Sequence, residues 1–290
     1  MAITLLGIEV IMNYEKSVIE LIKMRVSTRT YDPREIQVET LHQFEKYLEV
    51  INQKTTIKAR FVLAKGIGNG EKKLGTYGFI TGAQSYIIGL IDQTEKDAVT
   101  FGFLFEELVL AATDLNLQTC WMGGTFKKSD FESQLTLLKN ERIAIISPIG
   151  YKKNKQRVLE TAMRGLVGAD KRKSWETLFF NETLDVALDK NDAGHYAVPI
   201  EMVRLGPSAS NKQPWRLIKW SEGYHFYLSR TKGYGVTGFD MQLNDIGIAM
   251  CHFEISALEL GLKGCWQKQA TTELKNDWVY INSWVCGEEA

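Results

Sequence analysis

Ten residues in the second half of the sequence, GPSASNKQPW from Gly206 to Trp215, have the composition of a ligand-binding loop. A proline and three small residues precede Asn211 and Gln213, and an apolar strand pattern follows. A turn of this kind offers many backbone and side-chain hydrogen-bond donors. The sequence therefore predicts that the loop binds a small ligand through Pro207, Ser208, Ala209, Ser210, Asn211 and Gln213.

A second polar segment lies near the N-terminal end, where Arg25, Ser27 and Arg29 occupy alternate positions. In an extended segment, alternate side chains face the same side. Guanidinium groups bind phosphate oxygens through charge-assisted hydrogen bonds. The pattern favours an anion site. The alternative is a solvated helix end, at which Arg25 interacts with the helix dipole.

A third motif, Met122-Gly123-Gly124, comes directly after a long apolar helix pattern and the pair Cys120-Trp121. Glycine has no Cβ atom, so two glycines permit a close approach of the backbone to a ligand. The alternative is a simple turn that leaves the helix.

Together the three motifs resemble those of the FMN-dependent nitroreductase family, in which a PS-x-x-N-x-QPW loop lies against the flavin. Residues 25–31 match the family's phosphate-binding opening, R-x-S-x-R/K-x-Y/F, and the glycine turn matches the segment that brings backbone amides to the flavin ring. The resemblance spans residues 14–287, is specific only at these motifs, and implies FMN contacts from Arg25, Ser27, Arg29, Met122, Gly123, Gly124, Pro207, Ser208, Ala209, Ser210, Asn211 and Gln213.

The resemblance adds one further candidate, Arg172, because family members end with a basic residue that reaches back to the phosphate. Arg172 lies in a charged run with Lys171 and Lys173. A solvated surface segment is the alternative interpretation of that run, and it applies more strongly to the two lysines.

The chain repeats itself once, at an offset of 145 residues. The segment Phe101–Trp121 aligns with Ile246–Trp266, and the matches include Gly102 with Gly247 and the pair Cys-Trp at the end of each segment. Apolar residues around most of the circumference predict two largely buried helices. Two buried helices could share such residues by chance, but the common Cys-Trp pair favours a true repeat.

The order of the motifs differs from that of the family, whose members carry the PS-x-x-N loop near the N-terminus. Here the first half keeps the arginine–serine segment and the glycine turn but has Ile51–Thr56 where the loop would fall. The second half keeps the loop but lacks the arginine–serine segment, and its Cys265-Trp266 pair is followed by Gln267-Lys268, without either glycine. These complementary losses predict one composite site, and hence one FMN per chain.

Strand-like patterns surround each buried helix, so each half is predicted to be a small α+β unit. We expect an α+β, nitroreductase-like fold: a central, mainly antiparallel sheet flanked by helices, with an internal duplication that forms an intrachain pseudo-dimer. The halves are assigned to residues 12–165 and 166–290, packed as one compact unit. The charged region 152–181 is expected to connect them.

Composition limits the class of partner. Lysine plus arginine (35) equals aspartate plus glutamate (35), so no net field attracts nucleic acid or a membrane, and we expect a small-molecule partner. Four cysteines and four histidines show no metal-ligand spacing, and no metal is expected. We expect a cytoplasmic protein, with residues 1–11 either a poorly ordered extension or an artefact of expression.

The resemblance implies an FMN-dependent NAD(P)H oxidoreductase. In the family, NADH or NADPH delivers hydride to flavin N5 and leaves, and a nitroaromatic, quinone or similar small oxidant is then reduced in a ping-pong cycle. No protein acid or base is named, and His252 is expected to be a core histidine with satisfied hydrogen bonds. The alternatives are a flavin-binding carrier or sensor and a purely structural module. We expect a monomer, because the internal pseudo-dimer removes the usual reason to dimerise.

Overall fold

The computed structural model describes residues 12–65, 75–153, 171–234, 238–271 and 277–287. The predicted boundary at residues 165 and 166, and the N-terminal residues 1–11, lie outside these ranges. The described helices are α1 (Val18–Met24), α2 (Val38–Lys54), α3 (Ala98–Asp114), α4 (Lys128–Glu132), α5 (Lys190–Ala193), α6 (Ala197–Leu205) and α7 (Met241–Glu259). The strands are β1 (Ala59–Lys65), β2 (Ser85–Asp92), β3 (Gln118–Thr119), β4 (Glu141–Gly150), β5 (Phe179–Asn181), β6 (Trp215–Trp220), β7 (Gly223–Ser229), β8 (Gly264–Gln267) and β9 (Trp278–Cys286).

The two helices predicted from the repeat, α3 and α7, pack against each other at the centre of the molecule. Each begins with an aspartate cap: Asp97 accepts from the Thr100 N–H, and Asp240 accepts from the backbone of the first turn of α7. Both helices are buried on nearly all sides, as their apolar sequences require.

The crossing of α3 and α7 is close because both helices carry a glycine there. A Cβ atom on Gly102 would collide with the Asn244 carbonyl oxygen, and one on Gly247 would collide with the Val99 carbonyl oxygen. The 145-residue offset converts the first pair into the second. The two contacts are therefore the same contact seen from each half, as in a two-fold symmetric dimer.

The sheets repeat the same plan. The first half forms an antiparallel sheet in the order β1-β2-β4-β3, and the second forms β5-β6-β7-β9-β8, in which only β5 pairs in parallel. Without β5, the two orders are identical. The predicted α+β fold, mainly antiparallel pairing and internal duplication are confirmed, with a separate sheet in each half.

Even an irregularity is repeated. In β4, Ala144 is an extra residue opposite the Gly89–Leu90 step of β2, and in β9, Ile281 is an extra residue opposite the Phe226–Tyr227 step of β7. Such bulges bend a strand and redirect its side chains. Ala144, the extra residue of the β4 bulge, lines the cavity described below.

The core consists of two main clusters, one between α3 and the first sheet and one between α7 and the second. They meet where the two helices cross. None of the helices within the described ranges is long and apolar enough to cross a bilayer.

Candidate functional site

A cavity of about 590 Å³ lies at the junction of the halves. Its walls come from the segment before α2, the turn after β3, the loop after α6 and the first turns of α7. Among the residues predicted from sequence, it is lined by Arg25, Ser27, Arg29, Met122, Gly123, Gly124, Arg172, Pro207, Ser208, Ala209, Ser210 and Asn211. Motifs more than 80 residues apart in sequence thus meet in one space.

The arginine–serine segment is extended, as predicted. Ser27 pairs with Thr119 of β3 as an isolated bridge, and the Thr28 N–H donates to the Thr119 carbonyl over 2.9 Å. This pairing fixes the segment beside the sheet, so the alternate residues Arg25, Ser27 and Arg29 all reach the cavity. A solvated helix end is excluded for Arg25, which is 8% exposed.

The glycine turn is held by Met122, whose backbone pairs with Ile146 of β4 in both directions. Gly124 faces open space, since a Cβ atom there would meet nothing within 4 Å. At Gly123, a Cβ atom would collide with the end of the Met241 side chain. Both glycines line the cavity, and at Gly123 the Met241 side chain occupies the space that a Cβ atom would need.

The loop after α6 is strained in a defined way. Ser210, Asn211 and Gln213 adopt positive φ values of 47°, 54° and 49°, which are uncommon for residues with side chains. Hydrogen bonds impose this shape: the Gln213 N–H donates to Ser208 Oγ over 2.9 Å, and the Asn211 N–H donates to the Ser208 carbonyl. Strain of this kind concentrates at ligand sites.

The loop is braced by the segment that precedes β5. Arg172 Nη1 donates to Asn211 Oδ1 over 3.2 Å, and Asn211 Nδ2 donates to the Lys171 carbonyl over 2.7 Å. Gln213 is 2% exposed, does not line the cavity, and accepts from the Lys173 N–H over 2.8 Å. Gln213 thus stabilises the loop through the segment before β5 and does not face the cavity.

Two adjacent polar residues of α7, Asn244 and Asp245, line the cavity and were not identified from the sequence. Asp245 accepts the Ala209 N–H with both carboxyl oxygens at 3.1 Å, so it ties the loop to the central helix. Burial raises the pKa of Asp245 well above its usual range, and the nearby Asp240 adds to this effect, while the Ala209 hydrogen bond opposes it. The sequence did contain a signal for these two residues. The repeat aligns Asn244 and Asp245 with Val99 and Thr100 of α3, so α7 is the more polar helix at these two positions.

Positive charge dominates the cavity wall. Arg25, Arg29, Lys128 and Arg172 line it, and Asp245 is the one acidic residue among the described residues that do so. The raised pKa of Asp245 lowers its negative charge further. A low-dielectric cleft with cations on several sides favours an anionic group on its ligand.

Four aromatic residues complete the lining, and none was identified as a site residue from sequence: Phe79, Trp121, Tyr234 and Phe239. Tyr234 is connected to the loop, since its hydroxyl donates to Ser210 Oγ over 2.8 Å. Trp121 belongs to the repeated Cys-Trp pair, while no sequence motif marks the other three, which reach the cavity only through tertiary packing. They provide apolar walls for a planar ligand.

A buried polar network joins the halves behind the cavity. His252 of α7 has its Nε2 atom 2.9 Å from Glu106 Oε1 of α3, and its Nδ1 atom 2.9 Å from the Met202 carbonyl. Trp121 Nε1 donates to Glu106 Oε2 over 2.8 Å, and Arg25 Nε lies 3.9 Å from Glu106. The prediction of a satisfied core histidine is confirmed, and the network supports two cavity residues, Arg25 and Trp121.

The four cysteines Cys120, Cys251, Cys265 and Cys286 are free thiols. Burial, followed by the charges of Glu107 and Glu106, raises the pKa of Cys251 well above its usual range. Within the described ranges, no cluster of three or more histidine, cysteine, aspartate or glutamate side chains could hold a metal ion.

Comparison with solved structures shows a similar fold along nearly the whole chain. A "putative nitroreductase" from Thermotoga maritima superposes with a TM-score of 0.57 at 18% identity, over 96% of this chain and 97% of that one. A nitroreductase with bound FMN from Bacteroides fragilis (TM-score 0.38, 19% identity) covers 50% of this chain and 92% of its own. An FMN-dependent nitroreductase from Clostridium difficile (TM-score 0.37, 17% identity) covers 47% and 88%.

No curated protein matches this chain significantly. At the level of sequence families, the profile described as "Putative TM nitroreductase" matches residues 17–257, well over half of the chain. The three motifs, the duplicated fold and this match agree, and the chain belongs to that nitroreductase family.

Proposed function

We propose that the protein is an FMN-dependent NAD(P)H oxidoreductase that reduces nitroaromatics, quinones or similar small oxidants. The observation that carries the proposal is the convergence of the arginine–serine segment, the glycine turn and the PS-x-x-N loop on one cavity. Two of these motifs come from the first half and one from the second.

The residues present fit FMN. Arg25, Arg29 and Arg172 provide guanidinium groups for a phosphate, and Ser27 adds a hydroxyl. The glycine turn allows a flat ring to approach backbone N–H groups, and the aromatic residues enclose it. A volume of about 590 Å³ falls in the range of small-molecule cofactor sites.

When bound, FMN would supply the redox chemistry, which transfers hydride from NADH or NADPH to the small oxidant. The protein binds and orients the ring and excludes water with its aromatic walls. We name no protein group as an acid or base. The described residues hold no histidine in the cavity wall, and the buried His252 is used in the network with Glu106.

One flavin per chain follows from the complementary motifs. We also expect a monomer, since the pair of helices that would form a dimer interface, α3 and α7, is already internal.

The test is to purify the protein, quantify released FMN, and add NADH or NADPH anaerobically while recording the visible spectrum. About one FMN per chain that bleaches with reduced nicotinamide is expected. Two flavins per chain would contradict the composite site. A bound flavin that never bleaches would favour the carrier or sensor instead, and no binding of added FMN would refute both.

A further inference from the structure

Asn244 is a buried amide whose hydrogen bonds the protein does not make. The residue is fully buried and lines the cavity, and neither Oδ1 nor Nδ2 has a hydrogen-bond partner. A buried polar group without a partner carries an energetic cost, because it has lost its hydrogen bonds to water. A side chain that carries this cost at the wall of a ligand cavity is best explained by a ligand that supplies the missing partners.

The position of Asn244 supports this interpretation. Met241, Asn244, Asp245 and Ile248 form one stripe of α7, at positions i, i+3, i+4 and i+7, and all four line the cavity. Met241 lies against Gly123, and Asp245 holds the loop at Ala209. Asn244 therefore lies between the two elements that we propose enclose the flavin ring.

The repeated helix provides an internal reference. At the offset of 145, Asn244 corresponds to Val99 of α3, and the backbones of both residues make the same crossing contact. Val99 packs against the hydrophobic core of the second half. The backbone geometry thus tolerates an apolar residue, so helix packing does not require an amide here.

We infer that Asn244 binds the imide edge of the flavin's pyrimidine ring and so determines which planar ligand the cavity accepts. A carboxamide offers a donor next to an acceptor, and an imide offers a donor flanked by acceptors, so the two groups can form a pair of hydrogen bonds. This inference rests on the proposed function.

The experiment compares wild type with Asn244→Leu, which has a similar volume and no amide. FMN and 3-methyl-FMN, which lacks the imide N–H, are titrated against both proteins by flavin fluorescence. In wild type, methylation should weaken binding by roughly ten- to a hundredfold, the loss of one or two hydrogen bonds. Asn244→Leu should bind FMN with a similar loss and show little further effect of methylation. Ile255→Leu, on the same helix but outside the cavity wall, should keep the full methylation effect.

A second measurement uses the flavin-free protein. Removing an unpaired buried amide should stabilise it, so the melting temperature of Asn244→Leu should rise by a few degrees. A purely structural role for Asn244 predicts a fall, which would overturn the inference whatever the ligand.

The outcomes separate the two proposals. If wild type binds FMN but methylation has no effect, or if Asn244→Leu binds FMN as tightly as wild type, the assignment of Asn244 is wrong and the proposed function survives. If wild type binds no FMN, the proposed function and this assignment both fail.

Discussion

The turns that follow the two copies of the Cys-Trp pair are equivalent in the repeat but carry different residues. In the first half, the turn after β3 contains Gly123, which lines the cavity. At the equivalent position after Trp266, the chain has Lys268, whose Nζ atom donates to the carbonyl of Ile281, the extra residue of the β9 bulge. The matching bulge residue in the first half is Ala144, which lines the cavity.

A second difference lies at the centre. His252 Nδ1 of α7 lies 2.9 Å from the Met202 carbonyl near the end of α6, and its Nε2 atom lies 2.9 Å from Glu106 Oε1 of α3. The counterpart of His252 is Glu107 of α3, and Lys54, the last residue of α2, bonds Glu107 Oε1 at 2.5 Å. The side with Gly123 and His252 thus leads to the cavity, while on the other, called the closed side below, Lys268 and Lys54 bind within the protein. The repeated fold is present on both sides, and the cavity that we propose holds FMN lies on the first.

The largest expected effect is the loss of the closed side's ion pair. Lys54→Met leaves the buried Glu107 without its partner, which should cost about 3–5 kcal/mol of unfolding free energy. Burial already raises the pKa of Glu107, against the opposing effect of Lys54. The Glu107 carboxyl therefore keeps its proton to a higher pH in the folded state than in the unfolded state. The variant should therefore lose stability as pH rises through the folded pKa.

Urea unfolding at pH 5 and pH 8 measures both effects. Lys65→Met, which breaks the exposed pair with Glu45, is the matched control and should change stability by less than about 1 kcal/mol. Equal losses for both variants would show that the buried pair has no special role.

Copying the closed side onto the open one is the next test. Gly123→Lys places a side chain where a Cβ atom already collides with Met241, and we expect FMN affinity to fall by more than about a hundredfold, or about 2.7 kcal/mol. Fluorescence titration measures this loss. Lys268→Met on the closed side should leave the stoichiometry at one FMN per chain. If Lys268→Met instead binds two FMN molecules per chain, the Lys268 side chain alone prevents binding at the second position.

The phosphate assignment is sharpened by Arg29→Gln. The variant should bind FMN about ten- to a hundredfold more weakly, through lost charge-assisted hydrogen bonds, and should bind riboflavin as wild type does. Arg34→Gln is the control, because Arg34 lies over the Tyr151 ring at 4.0 Å and does not line the cavity. Equal losses for FMN and riboflavin would place Arg29 away from the phosphate.

The smallest expected effect concerns Asp245, whose counterpart in α3 is Thr100. Because its folded pKa is raised, the carboxyl contributes stability at low pH that is lost as pH rises from about 4 through the folded pKa. Asp245→Asn keeps an acceptor for the Ala209 N–H and removes this titration. Melting temperatures measured from pH 4 to pH 8 should show a flatter profile for the variant. Identical profiles would mean that Asp245 does not titrate with folding.

Much of the fold was predictable because its signals are local or repeated. The apolar sequences of α3 and α7 predict that both helices are buried, and the offset of 145 relates the two helices by sequence alone. The arginine–serine segment, the glycine turn and the PS-x-x-N loop were likewise identifiable as short motifs. Their contact with a flavin stays a prediction.

Tertiary structure decided the rest. Only packing shows that Gln213 supports the loop from behind, that Asn244 keeps an unpaired amide at the cavity wall, and that Phe79 and Tyr234 reach the same space. The sequence by itself determined the repeat, the motifs and the elements that carry them, since these depend on neighbouring residues along the chain. Which side chains meet across the junction of the halves depends on contacts between distant segments, and only the folded chain defines them.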